Sequence, residues 1–223
     1  SLDGNGGNIQ AAVRIGQLDN AFWSGDAKMM FFGNVRPYAE ALDVVGHELT
    51  HGVTQFAADL IYELQPGAMN EAFSDIFGEM VEARTVGQPD WLMGQSLGEA
   101  FRDMKNPGNI KFGDKPLPGK MSEYFDLPND ANSDHGGVHI NSSIINHAFY
   151  LTAAGLPNAV GLGDAEKIFY RCLTRHLQKQ SQFIDARLGC IASAEELFGA
   201  GSAQAKAVAD AGTQSLIAAA HHA

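Results

Sequence analysis

Between residues 40 and 57 apolar side chains recur every three or four positions. Leu42, Val45, Leu49, Val53 and Phe56 therefore fall on one face of a helix. Inside that helix stands His47-Glu48-Leu49-Thr50-His51. Residues four apart share a helical face, so both imidazoles can reach a single zinc ion. Glu48 sits one residue on, beside the metal, where a general base for a zinc-bound water belongs. The rest of the chain has to close around this helix and bring up a third ligand.

That ligand is not a nearby histidine, because Thr54 and Ala57 stand where the three-histidine variant needs Gly and His. Glu71 is the candidate. It opens a second helix, in Gly67-Ala68-Met69-Asn70-Glu71-Ala72-Phe73-Ser74-Asp75, and a helix–turn–helix lays it across from the histidines. The set would be His₂Glu, with a fourth position left for water.

Around this centre the chain reads as α+β and predominantly α: a short β segment followed by a helical lobe. Residues 1–39 are the β-rich part, with strand patterns at Ile9 to Ile15 and Lys28 to Phe32 before a Gly33-Asn34 turn. Residues 40–223 form the lobe, with helices over 40–57, 66–85, 137–154, 164–179, 182–198 and 202–220, punctuated by glycines. The interval 88–135 holds five of the eight prolines and reads as a long surface excursion of functional use. The opening Ser-Leu-Asp-Gly, with no basic or apolar leader, reads as a processed or excised product.

The formal charge of −11 and the lack of a basic cluster that would mark a nucleic-acid or anionic-lipid binder argue against both partners. No apolar run approaches the ~18 residues that span a bilayer. Cys172 and Cys190 are too few for a disulfide framework and are read as two free buried thiols.

Three motifs in this order, H-E-x-x-H, N-E-x-x-S-D and Asp134-His135-Gly136-Gly137-Val138-His139-Ile140-Asn141, resemble the thermolysin family of neutral zinc metallopeptidases. Asn20-Ala21-Phe22-Trp23 is similar as well, so the likeness runs over essentially the whole chain. The resemblance implies a thermolysin-like zincin with zinc on His47, His51 and Glu71, and Asp75 and Asn70 holding the outer nitrogens of the histidines. It implies Glu48 as base, and His139 and Tyr62 as donors to the oxyanion, with Asp134 orienting His139. Arg102 and Asn20 would grip the substrate backbone on the leaving-group side, and Ala21 would lie on the strand that pairs with the peptide. By position, Val35, Tyr38, Val44, Met93 and Phe101 would line the pocket for the residue after the scissile bond.

The activity implied is an endopeptidase cutting on the N-terminal side of bulky hydrophobic residues, acting on peptide or protein substrates and secreted. Asp43, Glu82 and Asp90 would hold one calcium, with Gln95 as a further ligand; Leu92 and Gln95 replace carboxylates that a double site needs. Only the last strands of the family's β-rich N-terminal lobe are recognised, so its own N-terminal lobe or propeptide is an expected partner. Two other readings stay open: a zinc aminopeptidase, and a non-catalytic fragment that binds the N-terminal lobe. His147, His176, His221 and His222 are read as structural or surface residues, and His135 is given no role.

Overall fold

A computed structural model describes residue 2 and residues 4–216; His221, His222 and the end of the last predicted helix lie outside the described residues. Three strands open the chain: β1 (Ala11–Ile15), β2 (Ala21–Ser24) and β3 (Met29–Gly33). They form one sheet in the order β1-β3-β2, with β1 parallel and β2 antiparallel to β3. The β2 strand is absent from the alternation reading, since Ala-Phe-Trp-Ser carries no period of two. It is held by pairing Ala21 with Phe32 and Trp23 with Met30, and it leaves one edge open.

The helices are α1 (Leu42–Phe56), α2 (Leu64–Val86), α3 (Asp134–Tyr150), α4 (Leu162–Arg171), α5 (Phe183–Phe198) and α6 (Ala203–Ser215). Wide π-type turns extend α3 through Gly155 and α4 through His176, which accounts for the longer predicted spans. The excursion between α2 and α3 contains short paired strands, β4 (Leu92–Met93) with β5 (Arg102–Asp103) and β6 (Lys111–Phe112) with β7 (Lys115–Pro116).

Helix α2 is the axis of the molecule. Ala68, Met69, Ala72, Phe73, Ile76 and Met80 are buried on one side of it and Asn70, Glu71, Ser74, Asp75 and Gly78 on the other, as expected of a central helix covered all round. The apolar side shares a core with Ile144, Ile145 and Phe149 of α3 and with Ile168 and Phe169 of α4. A second, smaller cluster of Ala21, Met30, Phe32, Tyr38, Ala41 and Val44 joins the sheet to α1. Cys172 and Cys190 are free and buried.

The pattern that located α1 does not identify its buried face. The stripe Leu42, Val45, Leu49, Val53 is only half-buried and Phe56 is exposed, whereas Asp43, Gly46, His47, Glu48, Thr50, Gly52 and Thr54 are buried. The reason is the close approach of α2. A Cβ on Gly78 would stand 2.3 Å from the Asp43 carbonyl oxygen, and one on Gly46 would stand 2.8 Å from the Gly78 Cα. Two glycines let the backbones touch, and that brings the carboxylates of α2 within reach of the histidines of α1.

Candidate active site

The imidazole Nε2 atoms of His47 and His51 lie 3.1 Å apart. Each is 3.4 Å from a Glu71 carboxylate oxygen, on the facing side of α2. The outer nitrogens are committed. His47 Nδ1 donates to Asp75 Oδ1 at 2.8 Å, and His51 Nδ1 donates to Asn70 Oδ1 at 2.8 Å. Asn70 is itself anchored through its Nδ2 to the Leu60 carbonyl. With Nδ1–H donating, both Nε2 lone pairs point at one spot, an arrangement that needs a cation between them. Glu71 is fully buried and its Oε2 has no hydrogen-bond partner. An orphaned carboxylate oxygen beside two converging lone pairs fits the three-ligand set of a metal.

Electrostatics agree. Burial alone would depress His47, but the charges of Glu71 and Asp75 outweigh it and hold the imidazole up at about 10. His51 shifts the other way, through burial and the neighbouring His47 charge. The pair thus keeps a proton where a metal would sit. Burial would raise Asp75, yet Arg102 and His47 hold it down at about 2.

The second half of the site comes from the start of α3. Asp134, His135, Gly136 and Gly137 all have positive φ, from 50° to 88°, so the chain makes a left-handed turn before the regular helix begins at Val138. Such a run is costly for non-glycine residues. Here it folds the Asp134 carboxylate back onto His139, accepting from its backbone N–H at 2.8 Å and from Nδ1 at 2.6 Å. Burial opposes a charge on His139, but Glu71 and Asp134 raise its pKa above the ordinary imidazole value. Its Nε2 stands 3.2 Å from the Tyr62 hydroxyl, which donates to Glu71. Burial and then the Glu71 charge push the Tyr62 phenol far up, so it stays a donor.

Two cavities meet at this cluster. One of about 480 Å³ runs along Asn20 to Trp23 and past His51, Tyr62 and Asn70. The other, of about 260 Å³, runs past Tyr38, Val44, Met93, Phe101 and Arg102. Asn20, Ala21, His47, Glu48 and His139 line both, so the groove continues to either side of Glu48. Val35, expected in the second wall, is half exposed and lines neither, because the turn after β3 carries it outward. In its place Asp19 and Arg36 stand at the mouth, paired at 2.8 Å, and Asp19 also accepts from the Tyr38 hydroxyl at 2.7 Å. Arg102, held by the β4–β5 pairing, is buried and bound through Nε and Nη2 to both oxygens of Asp75.

Several contributors escaped the motif reading. Asn146 donates to Asp75 Oδ2 at 2.7 Å, and its only signal was an amide inside the apolar run Ile144-Ile145-Asn146-His147-Ala148-Phe149. Ser74 Oγ reaches His51 Nδ1 at 3.2 Å, and Trp23 donates to Gln55 at 2.8 Å, tying β2 to α1. Behind the site, the carboxylate oxygens of Glu79, Glu82 and Asp90 converge, so two of the three expected calcium carboxylates stand together and Glu79 joins them. Asp43 borders this group, but its oxygens accept the backbone N–H groups of Val44 and Gly94. Burial and mutual repulsion raise Glu79 to about 8 and Glu82 to about 7.

Comparison with known proteins agrees with this geometry. Residues 1–55 match the catalytic-domain model of thermolysin metallopeptidases, and residues 58–217 match the model of their alpha-helical domain. The chain is 38% identical to the thermostable neutral protease NprT of Geobacillus stearothermophilus over 95% of its length, covering 40% of that protein. It is 40% identical to neutral protease NprE of Bacillus pumilus over 89% of its length, covering 64% of that protein. Among solved structures, the precursor of protealysin, a metalloproteinase from Serratia proteamaculans, superposes with a TM-score of 0.85 at 36% identity. That match covers 98% of this chain and 71% of the precursor. The chain thus spans well under half the length of the first of these relatives. With two matching family models laid end to end and all three motifs gathered around one groove, the chain belongs to the thermolysin metallopeptidase family.

Proposed function

We propose that the chain is the catalytic part of a zinc-dependent endopeptidase that cuts internal peptide bonds before bulky hydrophobic residues. The observation that carries this is the groove that passes Glu48 and continues on both sides, as an enzyme holding a peptide in mid-chain requires. His47, His51 and Glu71 would hold the zinc, which when bound polarises the scissile carbonyl and makes water acidic enough to deprotonate at neutral pH. Residues 1–39 present the substrate and residues 40–223 perform the chemistry.

The peptide adds to the open edge of β2, pairing with the backbone at Asn20 and Ala21. Its next side chain enters the pocket of Tyr38, Val44, Met93 and Phe101, whose apolar walls favour Leu, Phe or Ile. Glu48 accepts the proton of the attacking water and passes it to the departing nitrogen. Tyr62 O–H and protonated His139 Nε2–H donate to the oxyanion, and Asp134 keeps His139 oriented and charged. Asp75 and Asn70 hold the histidine tautomers, while Asn20 and Arg102 face the leaving-group side.

Glu79, Glu82 and Asp90 suit one calcium, supported by a buried Glu79 Oε2 that has no hydrogen-bond partner. A pro-segment or N-terminal lobe is a further partner in this reading, since the solved relative is a precursor. Secretion also belongs to it; none of the described helices is long and apolar enough to cross a membrane.

The test is cleavage of a doubly blocked, fluorescence-quenched peptide with one central Leu or Phe, with and without a zinc chelator. Chelator-sensitive cutting before that residue is the expected result. Cutting only of peptides with a free amino terminus would make it an aminopeptidase. Zinc binding without cutting would make the chain a non-catalytic fragment that depends on its N-terminal lobe.

A further inference from the structure

Away from the groove one segment of the chain reverses the overall sign of charge. The chain carries −11 overall, yet residues 105–120 hold Lys105, Lys111, Lys115 and Lys120 against Asp114 alone, which is +4 − 1 = +3. Three of these lysines, Lys105, Lys115 and Lys120, stand around a second groove of about 710 Å³. It is larger than either cavity at the histidines and shares no lining residue with them. The three come from different stretches: Lys105 before the turn Pro107–Asn109, Lys115 on β7, and Lys120 ahead of the turn Met121–Glu123.

The walls between them are largely apolar. Pro107, Leu117, Phe125 and Leu151 line the groove, and Lys115 Nζ sits 5.7 Å over the Phe125 ring. The one lining carboxylate, Glu123, is engaged by the Gly119 N–H at 2.9 Å and by Lys120 at 3.4 Å, an exposed pair that a ligand carboxylate can replace. His147 contributes a different group. Its Nδ1 donates to the Met104 carbonyl at 3.0 Å, which fixes the ring where it lines the groove.

We propose that this groove docks an acidic peptide segment of a protein partner, one in which apolar side chains alternate with carboxylates. Separated ammonium groups suit carboxylates spaced along a chain better than the single head group of a lipid. The apolar walls suit the side chains between. The volume is that of a ligand of a few residues. In a molecule of net charge −11 this face is where an acidic partner would be steered. The proposal rests on this groove alone and stands whether or not the chain is a peptidase.

The test is fluorescence anisotropy on the full chain, carrying Glu48→Gln so that the probe is not consumed. The probe is a short labelled peptide alternating Glu with Phe and Leu. Saturable, salt-sensitive binding is expected. It should weaken about tenfold or more in Lys105→Glu/Lys115→Glu/Lys120→Glu. Gly119→Trp is the charge-neutral check, since a Cβ there meets His147 and Pro107 only at 3.7 Å, an ordinary contact. It should weaken binding equally by filling the groove. Binding unchanged in both variants would overturn the proposal. So would equal binding of a peptide with Lys in place of Glu, or binding of phosphatidylglycerol vesicles but not of the peptide.

Discussion

The two glycines at the crossing of α1 and α2 set the distance from the histidines to Glu71, and Gly78→Ala tests that directly. The added methyl would begin 2.3 Å from the Asp43 carbonyl oxygen and 3.1 Å from the His47 backbone nitrogen. An ordinary contact needs about 3.4 Å, so the helices must part by about 1 Å. Overpacking of this kind costs about 1–3 kcal/mol of stability. Glu71 lies seven residues earlier on the same helix, two turns or about 10 Å along its axis, so the displacement reaches it. Zinc ligands tolerate about 0.2 Å, and disturbances of their support typically lower affinity about 10–100-fold. Competition against a chromophoric chelator measures the affinity, and melting with and without zinc measures the stability. Gly87→Ala is the control: no atom lies within 4 Å of the new methyl but φ is +96°. It should lose about 1 kcal/mol and leave zinc affinity unchanged. Wild-type zinc affinity in Gly78→Ala would refute the reasoning, because it would mean that the crossing relaxes without moving Glu71.

Other outcomes follow from the same site. Glu48→Gln should retain zinc and lose several orders of magnitude in kcat, checked by metal content and turnover on the blocked peptide; full activity would remove Glu48 as base. Because His47 is held at about 10 without metal, zinc must displace its proton. An unbuffered titration at neutral pH should therefore release about one proton per zinc, and none released would contradict that state. If protonated His139 donates to the oxyanion as proposed, its raised pKa places the loss of rate on the alkaline side; His139→Ala should abolish that limb along with most of the activity. Glu79 and Glu82 rise from 4.5 to about 8 and about 7. The folded chain then holds protons that the unfolded chain releases, so without calcium their contribution is present below about 4.5 and is lost as pH rises to about 8. Chelation should therefore lower the melting temperature more at about pH 9 than at about pH 5, and an equal drop at both would exclude calcium there.

Much of this was legible because the chemistry demands residue types at short spacing. His47 and His51 at i and i+4 already fix a helix and a face, and Asn70, Glu71 and Asp75 lie within about one turn of each other on the next. What stayed hidden depends on how backbones meet. Gly46 and Gly78 look like helix-weakening residues until the crossing is seen, and the apolar stripe of α1 points toward the half-exposed side. Asn146 and Glu79 reach their partners across 71 and 12 residues of chain, and no local pattern encodes those encounters. Val35 illustrates the converse: its position in the motif order suggested a pocket wall, but one turn of backbone carries it outward.

Asp75 has a consequence for how such a molecule can change. Its two oxygens serve His47, Arg102 and Asn146, which belong to α1, β5 and α3. Any substitution that alters its charge therefore touches the His47 imidazole, the Arg102 guanidinium and the seating of α3 together. Variation at Tyr38 or Phe101 can reshape the side-chain pocket alone. In the proposed reading, new substrate preferences are reachable by single steps through the pocket walls, whereas a different metal or a different oxyanion geometry requires several coordinated steps through a carboxylate that has no independent settings.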